Sequence, residues 1–295
     1  MDSVIKYKVN AKENIYFYLR VVLSLGLYFL LVKLFILPFT SDNPAMSSFY
    51  VLYVYFALII IYLFFRFGVL IGHLKGNGIK LSKNQFPEIY QIVSRQSDLL
   101  GLKSIPDVYI IQSGGVLNAF AAKFLGRNYI VLYSEIVESA YEQDKKILEF
   151  IIGHELGHIK RNHMFKNLLL IPSYIIPFLG SAYSRACEYT CDNIGNSLCP
   201  SGVKSGLLLL ASGTKIYKNV NIKEFLIQDY SEDGFWKWFS EKVSSHPNLT
   251  KRLACFINLK ETANLTGFNT ISETLNESTH LIEKKEEDFL RYMPK

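Results

Sequence analysis

Two imidazoles and a carboxylate occur together in His154-Glu155-Leu156-Gly157-His158. The pentapeptide lies inside ILEFIIGHELGHIKRNHMFKNLLL, an apolar run that reads as one helix starting at Lys145, with Asp144 as its N-cap. Four residues advance a helix by about 400°, so the imidazoles of His154 and His158 stack one turn apart on nearly the same face. That spacing lets two ring nitrogens reach one Zn²⁺ at about 2.1 Å. Glu155 then stands beside the metal, where it can take a proton from a metal-bound water. The competing reading is a polar stripe on an ordinary helix, but two His and a Glu are costly in an apolar helix without a ligand.

A catalytic zinc needs a third protein ligand. A third-histidine pattern would require glycine at position 161 and histidine at position 164, and Arg161 and Met164 stand there instead. His163, nine residues beyond His154, falls about 900° round a continuous helix, which predicts a surface residue on the opposite face. A carboxylate from a later helix is the remaining solution. Glu188 lies 30 residues after His158, and Asp192 one turn further could accept the free N–H of a ligand histidine. Two acids at i,i+4 repel on an isolated helix, and a nearby dication would relieve that. The alternatives are a solvated acidic face, or a Cys191 thiolate in place of Glu188 that would strand the carboxylate. The four cysteines, Cys187, Cys191, Cys199 and Cys255, otherwise read as reduced, small buried hydrophobes.

The chain that must position these groups has 295 residues, with 32 Lys+Arg against 26 Asp+Glu and 49% hydrophobic residues. That excludes a disordered, fibrous or disulfide-scaffold protein. The apolar excess lies at the front. Val21–Phe39 carries only Lys33, and Phe49–Phe65 carries no charge. With their flanks (about 20–39 and 49–71) both are long enough to span a bilayer. Lys6, Lys8, Lys12 and Arg20 precede the first span, and Arg66, Lys75, Lys80 and Lys83 follow the second. The connecting loop has no Lys or Arg, so both termini and the catalytic part are expected on the cytoplasmic side of a plasma or inner membrane. No nucleic-acid signature accompanies the net +6.

Turn residues at Gly76-Asn77-Gly78 divide a hairpin, 1–75, from a domain of 76–295. Leu168–Gly180, broken by Pro172 and Pro177, is too short to span and reads as core, with a membrane-dipping edge as the alternative. Helices are expected over Phe86–Leu100, Tyr183–Ser197, Lys204–Lys215 and Lys251–Leu259, and strands over Asp107–Gln112, Val116–Lys123 and Asn128–Tyr133 in a small antiparallel sheet. Glu283–Glu287 reads as solvated. Asn248, Asn264 and Asn276 open N-x-S/T triplets, which matter only if the domain faces a secretory lumen.

H-E-L-G-H-I-K-R-N-H followed by S-R-x-x-E-Y-x-x-D resembles the HtpX-type membrane zinc metalloproteases, relatives of the CAAX prenyl endopeptidases. Asn118-Ala119-Phe120-Ala121 is similar to that family's N-A-F-A strand, and Ser245-His246-Pro247 with Arg252 to its late H-P-x-x-x-x-R element. The resemblance implies an α+β, zincin-like, mostly helical domain behind a transmembrane hairpin. It implies one Zn²⁺ on His154, His158 and Glu188, Glu155 as base, and a polypeptide substrate reached at the bilayer. His246 would then be the candidate oxyanion donor, with Arg252 assisting it or clamping the acidic helix at Asp192. Asn118 and Ala119 would line an extended substrate by edge pairing. Two departures stand out: Cys191 precedes Asp192 where alanine is usual, and one short apolar stretch separates His158 from Glu188 where the family carries two further spans. Prenyl-protein processing and a non-catalytic zinc-binding scaffold are the alternative functions.

Overall fold

A computed structural model describes residues 4–40, 48–112, 114, 118–232 and 234–257, the side chains of Ser48 and Tyr230 excepted. Two compact units are distinguished, Met1–Leu253 and Ala254–Lys295. Of the second only 254–257 are described, so Glu283–Glu287, Asn264, Asn276 and the expected helical residues 258 and 259 lie outside the described residues.

Helices α1 (Ala11–Thr40) and α2 (Ser48–Asn77) form the apolar front, each 30 residues and so about 45 Å long. Only 11% and 6% of their most apolar windows are buried, which excludes two core helices of a soluble domain. At the loop end Tyr53 Oη donates to the Phe35 carbonyl at 2.7 Å, and Phe39 stacks on Tyr53. The turn expected at Gly76-Asn77-Gly78 coincides with the end of α2, where the Gly78 amide donates to the Leu74 carbonyl.

Strands β1 (Ile79–Lys80), β2 (Asp107–Ile111), β3 (Ala119–Phe124) and β4 (Arg127–Tyr133) form one sheet in the order β1-β2-β4-β3. It is mixed, not the antiparallel sheet expected. The hairpin pair β3–β4 is antiparallel, but β2 and β4 run parallel in register from Asp107↔Tyr129 to Ile111↔Tyr133. Leu125 and Gly126, both at positive φ, close the hairpin, and its β4 edge pairs with β2 in the parallel sense. The third expected strand begins at Ala119; Val116 and Leu117 lie outside the described residues.

Helix α3 (Pro87–Leu99) ends at Gly101, whose φ of 62° suits a residue without Cβ. After α4 (Ser134–Glu142) comes α5 (Lys145–Lys160), where Asp144 caps the Lys146 amide as expected. Ile147, Phe150, Ile151, Ile152 and Leu156 bury α5 on every side, the pattern of a central helix. The expected single helix from Lys145 onward is in fact broken. Asn162 adopts φ 55°, and the chain restarts as α6 (His163–Leu169) in a new direction.

A 3₁₀ turn (Ile171–Ile175) leads into α7 (Leu179–Leu198), which packs along α5. Gly157 makes the close approach possible: a Cβ there would lie 3.2 Å from Cys191 Sγ and 3.3 Å from its Cα. The segment Leu168–Gly180 is only in part the core element expected. Leu170, Ser173 and Leu179 are buried, but Leu168, Leu169, Ile171 and Ile175 are exposed on the end of α6 and on the 3₁₀ turn. Helices α8 (Val203–Ser212), α9 (Ile222–Ser231), α10 (Phe235–Val243) and α11 (Leu249–Ala254) follow.

Candidate metal centre

The close packing of α5 on α7 brings three potential ligand atoms together. His154 Nε2 and His158 Nε2 are 3.2 Å apart; His154 Nε2 lies 3.4 Å from Glu188 Oε2, and His158 Nε2 lies 3.3 Å from Glu188 Oε1. Ligands on a tetrahedron with bonds of about 2.1 Å are about 3.4 Å apart, so the triangle has the size of one face of a Zn²⁺ shell. Glu188 Oε2 is buried with no hydrogen-bond partner among the described residues, an orphan that a cation would satisfy. Two buried nitrogens and a carboxylate converging in this way fit zinc, while the all-oxygen shells of Mg²⁺ and Ca²⁺ do not suit them.

Each histidine is also held from behind. Asp192 Oδ1 lies 2.9 Å from His154 Nδ1. Arg252 donates Nε to Asp192 Oδ2 at 2.8 Å and Nη2 to Oδ1 at 2.7 Å, and its Nη1 lies 3.5 Å from Glu188 Oε2. The carboxylate thus fixes His154 with Nδ1–H turned away and Nε2 facing the centre. Burial disfavours the charged imidazolium at His154, but Asp192 and Glu188 outweigh it and lift its pKa to about 10 in the metal-free chain. Burial likewise opposes ionisation of Glu188, yet the close imidazoles of His154 and His158 hold its pKa well below the ordinary carboxylate value.

His158 is supported by different residues. Its Nδ1 lies 3.1 Å from His163 Nδ1, and His163 Nε2 lies 3.2 Å from Glu13 Oε1. Arg161 clamps the same Glu13 oxygen through Nε at 3.0 Å and Nη2 at 2.7 Å. His163 is therefore no surface residue; it is only 2% exposed. The left-handed turn at Asn162 swings it back behind His158, which a continuous helix could not do. Burial pushes its pKa down to about 4, so at neutral pH it is uncharged and can accept from His158 while donating to Glu13.

A cleft of about 80 Å³ opens on the centre, lined by Glu155, His154, Glu188, Asn118, Ala119, His246 and Arg252 among others. All nine residues singled out from the sequence are thus brought to one place. Glu155 is buried beside the ligand atoms. His246 sits at the mouth, its Nε2 3.6 Å from Glu188 Oε1 and its side chain 63% exposed. β3 forms the outer edge of the sheet, so Ala119 presents backbone toward the cleft from an edge strand. Cys191 Sγ faces His163 at 3.7 Å rather than completing the triangle.

Residues 83–175, which include both histidines and Glu155, match the sequence model of peptidase family M48. A "plastoglobule-localized metallopeptidase 48, chloroplastic" of Arabidopsis thaliana is 29% identical over 191 residues, 58% of this chain and 52% of that protein. The chain is a relative of the M48 metallopeptidases. A "CAAX prenyl protease 1 homolog" of Dictyostelium discoideum is 37% identical over 65 residues, 22% of this chain and 15% of that protein. The M48 relative therefore spans about half, or less, of the length of these curated proteins. Among solved structures, that of S. mikatae Ste24p aligns with 85% of this chain and 67% of its own at a TM-score of 0.45 and 16% identity. The family resemblance and the metallopeptidase class read from the sequence agree with the family match and the first relative, and the mostly helical domain with a small sheet agrees with the fold itself.

Three supporting residues of this M48 relative escaped the sequence reading. Arg185, quoted there only as part of a motif, donates Nη1 to the carbonyls of Glu241, Lys242 and Ser244 at 2.6 to 2.9 Å. It thereby pins the connection that presents His246. His163 was assigned to the wrong face, and Glu13, some 140 residues upstream, gave no local signal at all. A polar residue eight positions before Val21 is the one hint that could have flagged Glu13.

Proposed function

We propose that this M48 relative is a membrane-anchored zinc endopeptidase, with the metal on His154, His158 and Glu188 and with Glu155 as general base. The observation that carries this reading is the triangle of ligand atoms, 3.2 to 3.4 Å on a side, open to a cleft that Glu155 lines. Zinc bound there would polarise a scissile carbonyl and lower the pKa of a coordinated water toward about 7. Glu155 accepts the proton from the attacking water and returns it to the leaving amine. His246, exposed at the cleft mouth with Nε2 3.6 Å from Glu188 Oε1, donates to the developing oxyanion. Arg252 keeps Asp192 ionised and aligned, so that His154 offers Nε2 and no other atom. An extended polypeptide adds to the β3 edge at Asn118 and Ala119, which sets its peptide bond over the centre.

Residues 1–75 serve as the anchor and 76–295 as the catalytic domain. Eight Lys and Arg flank the hairpin and none lies in its loop, which supports a cytoplasmic catalytic side. The substrates are membrane-embedded or misfolded polypeptides. Replacing Glu155 with Gln should leave one zinc per chain but cut cleavage of an unfolded protein by about 10²- to 10⁴-fold. Full cleavage by Glu155→Gln would reject the base assignment. A parallel assay with prenylated and plain peptides separates prenyl-protein processing from general endopeptidase activity, and inactivity of the native chain on both points to a scaffold.

A further inference from the structure

Between α6 and α7 the chain exposes a continuous apolar surface: Leu168, Leu169, Ile171, Ile175 and Phe178 are 41 to 72% exposed. Its neighbour is the first membrane helix. Tyr28 Oη donates to the Leu169 carbonyl at 3.0 Å, and Arg20 Nη2 donates to the Leu170 carbonyl at 3.0 Å. Arg20 stands at the start of the charge-poor run and Tyr28 eight residues further along α1, about 12 Å at 1.5 Å per residue. The segment therefore lies beside α1 at a depth well inside a hydrocarbon layer of about 30 Å.

Its backbone is satisfied in the way such a depth demands. Irregular chain survives in lipid only where its polar groups find protein partners. Two carbonyls at the break between α6 and the 3₁₀ turn are taken by α1 side chains, and Ser173 Oγ donates to the Leu170 carbonyl at 2.6 Å. Arg20 is fully buried, and its other nitrogens donate to Ser173 Oγ and Asn167 Oδ1 at 2.8 and 2.7 Å. Beside this surface lies α10, joined to it by the Phe178–Phe239 ring contact at 6.1 Å. The chain's two tryptophans, Trp236 and Trp238, are both on α10 and both exposed, as at a membrane interface.

We propose that Leu168–Phe178 enters the bilayer as a re-entrant loop against α1, with α10 at the headgroup level, so that the catalytic part is seated on lipid. The proposal rests on the reading of α1 and α2 as membrane spans, and it extends that contact to the very segment that leads into α7. Glu188, ten residues beyond Phe178, is then no more than about 15 Å along α7 from the loop. Such a placement selects polypeptide segments that lie close to the membrane surface.

The test uses the full chain in phosphatidylcholine–phosphatidylglycerol liposomes, with Cys255→Ser and a single cysteine introduced at position 58, 83 or 175 (L58C, K83C or I175C). Each is labelled with a polarity-sensitive fluorophore and quenched either by doxyl lipid or by aqueous iodide. Positions 58 and 175 should both lose most of their emission to doxyl lipid, and position 83 only to iodide. Lipid quenching at 58 with iodide quenching at 175 overturns the loop and leaves the spans standing. Iodide quenching at 58 overturns the membrane reading and the loop with it. Protection of position 175 from both quenchers means a protein surface covers it, which also overturns the proposal.

Discussion

The two histidines of the centre are held by unlike means. Behind His154 stand a carboxylate and a guanidinium, Asp192 and Arg252, joined by two short hydrogen bonds within a fully buried pair. Behind His158 stands a neutral imidazole, His163, which passes the contact on to Glu13 on the first membrane helix. One side depends on charges that the catalytic helices supply themselves. The other depends on a residue of α1, so the first apolar helix reaches the centre through hydrogen bonds as well as through the chain. Orientation of a ligand histidine thus has a local solution and a long-range one in the same molecule.

The sharpest break in that comparison is to remove the charge behind His154. Arg252→Met leaves Asp192 buried with His154 as its remaining partner, which should cost up to about 3–5 kcal/mol of stability in urea unfolding. Zinc affinity should fall with it, and Arg252→Lys should restore part of the stability without the two-pronged geometry. A variant as stable as the parent would mean that the pair is dispensable. On the other side, His163→Ala should weaken zinc binding about 10- to 100-fold in a chelator competition, with a smaller loss of fold stability. His163→Gln, which can still accept from His158 and donate to Glu13, should recover most of that affinity. Unchanged affinity in His163→Ala would show that His158 needs no support from the membrane side.

The unequal legibility of the two sides follows from the same difference. His154 with His158, and Glu188 with Asp192, are each spaced by four residues, so helical periodicity puts each pair on one face of its helix. Asp144 was readable because capping is local. His163 was misread because periodicity assumes an unbroken helix, and the turn at Asn162 ends it one residue earlier. Glu13 could not be read, since no pattern within a short window connects α1 to α5. The parallel pairing of β2 with β4 was missed for a related reason: it depends on which edge of a hairpin docks, not on strand composition. Leu168–Gly180 shows the limit of hydropathy, because a core segment and a lipid-facing one carry the same residues and differ only in what surrounds them.

Acid should separate the two sides by a smaller, graded effect. An unfolded His163 would take up a proton near its ordinary value of 6.5, whereas the buried residue resists protonation until about pH 4. Between those values the unfolded chain binds the additional proton, so this residue destabilises the fold progressively as pH falls, by at most about 1.4 kcal/mol per pH unit. Above pH 6.5 neither state is protonated and the contribution vanishes. His163→Gln removes the titration while keeping both hydrogen bonds. Urea unfolding of the metal-free chain should therefore lose stability less steeply in that variant between pH 6.5 and 4 than in the parent. On the Arg252–Asp192 side His154 has its pKa raised to about 10, so its contribution is already complete below pH 6.5, and Arg252→Lys should keep the parental slope. Equal slopes in His163→Gln and the parent would mean that His163 is protonated in the folded chain, and that the contact from Glu13 to His158 runs through a cation instead.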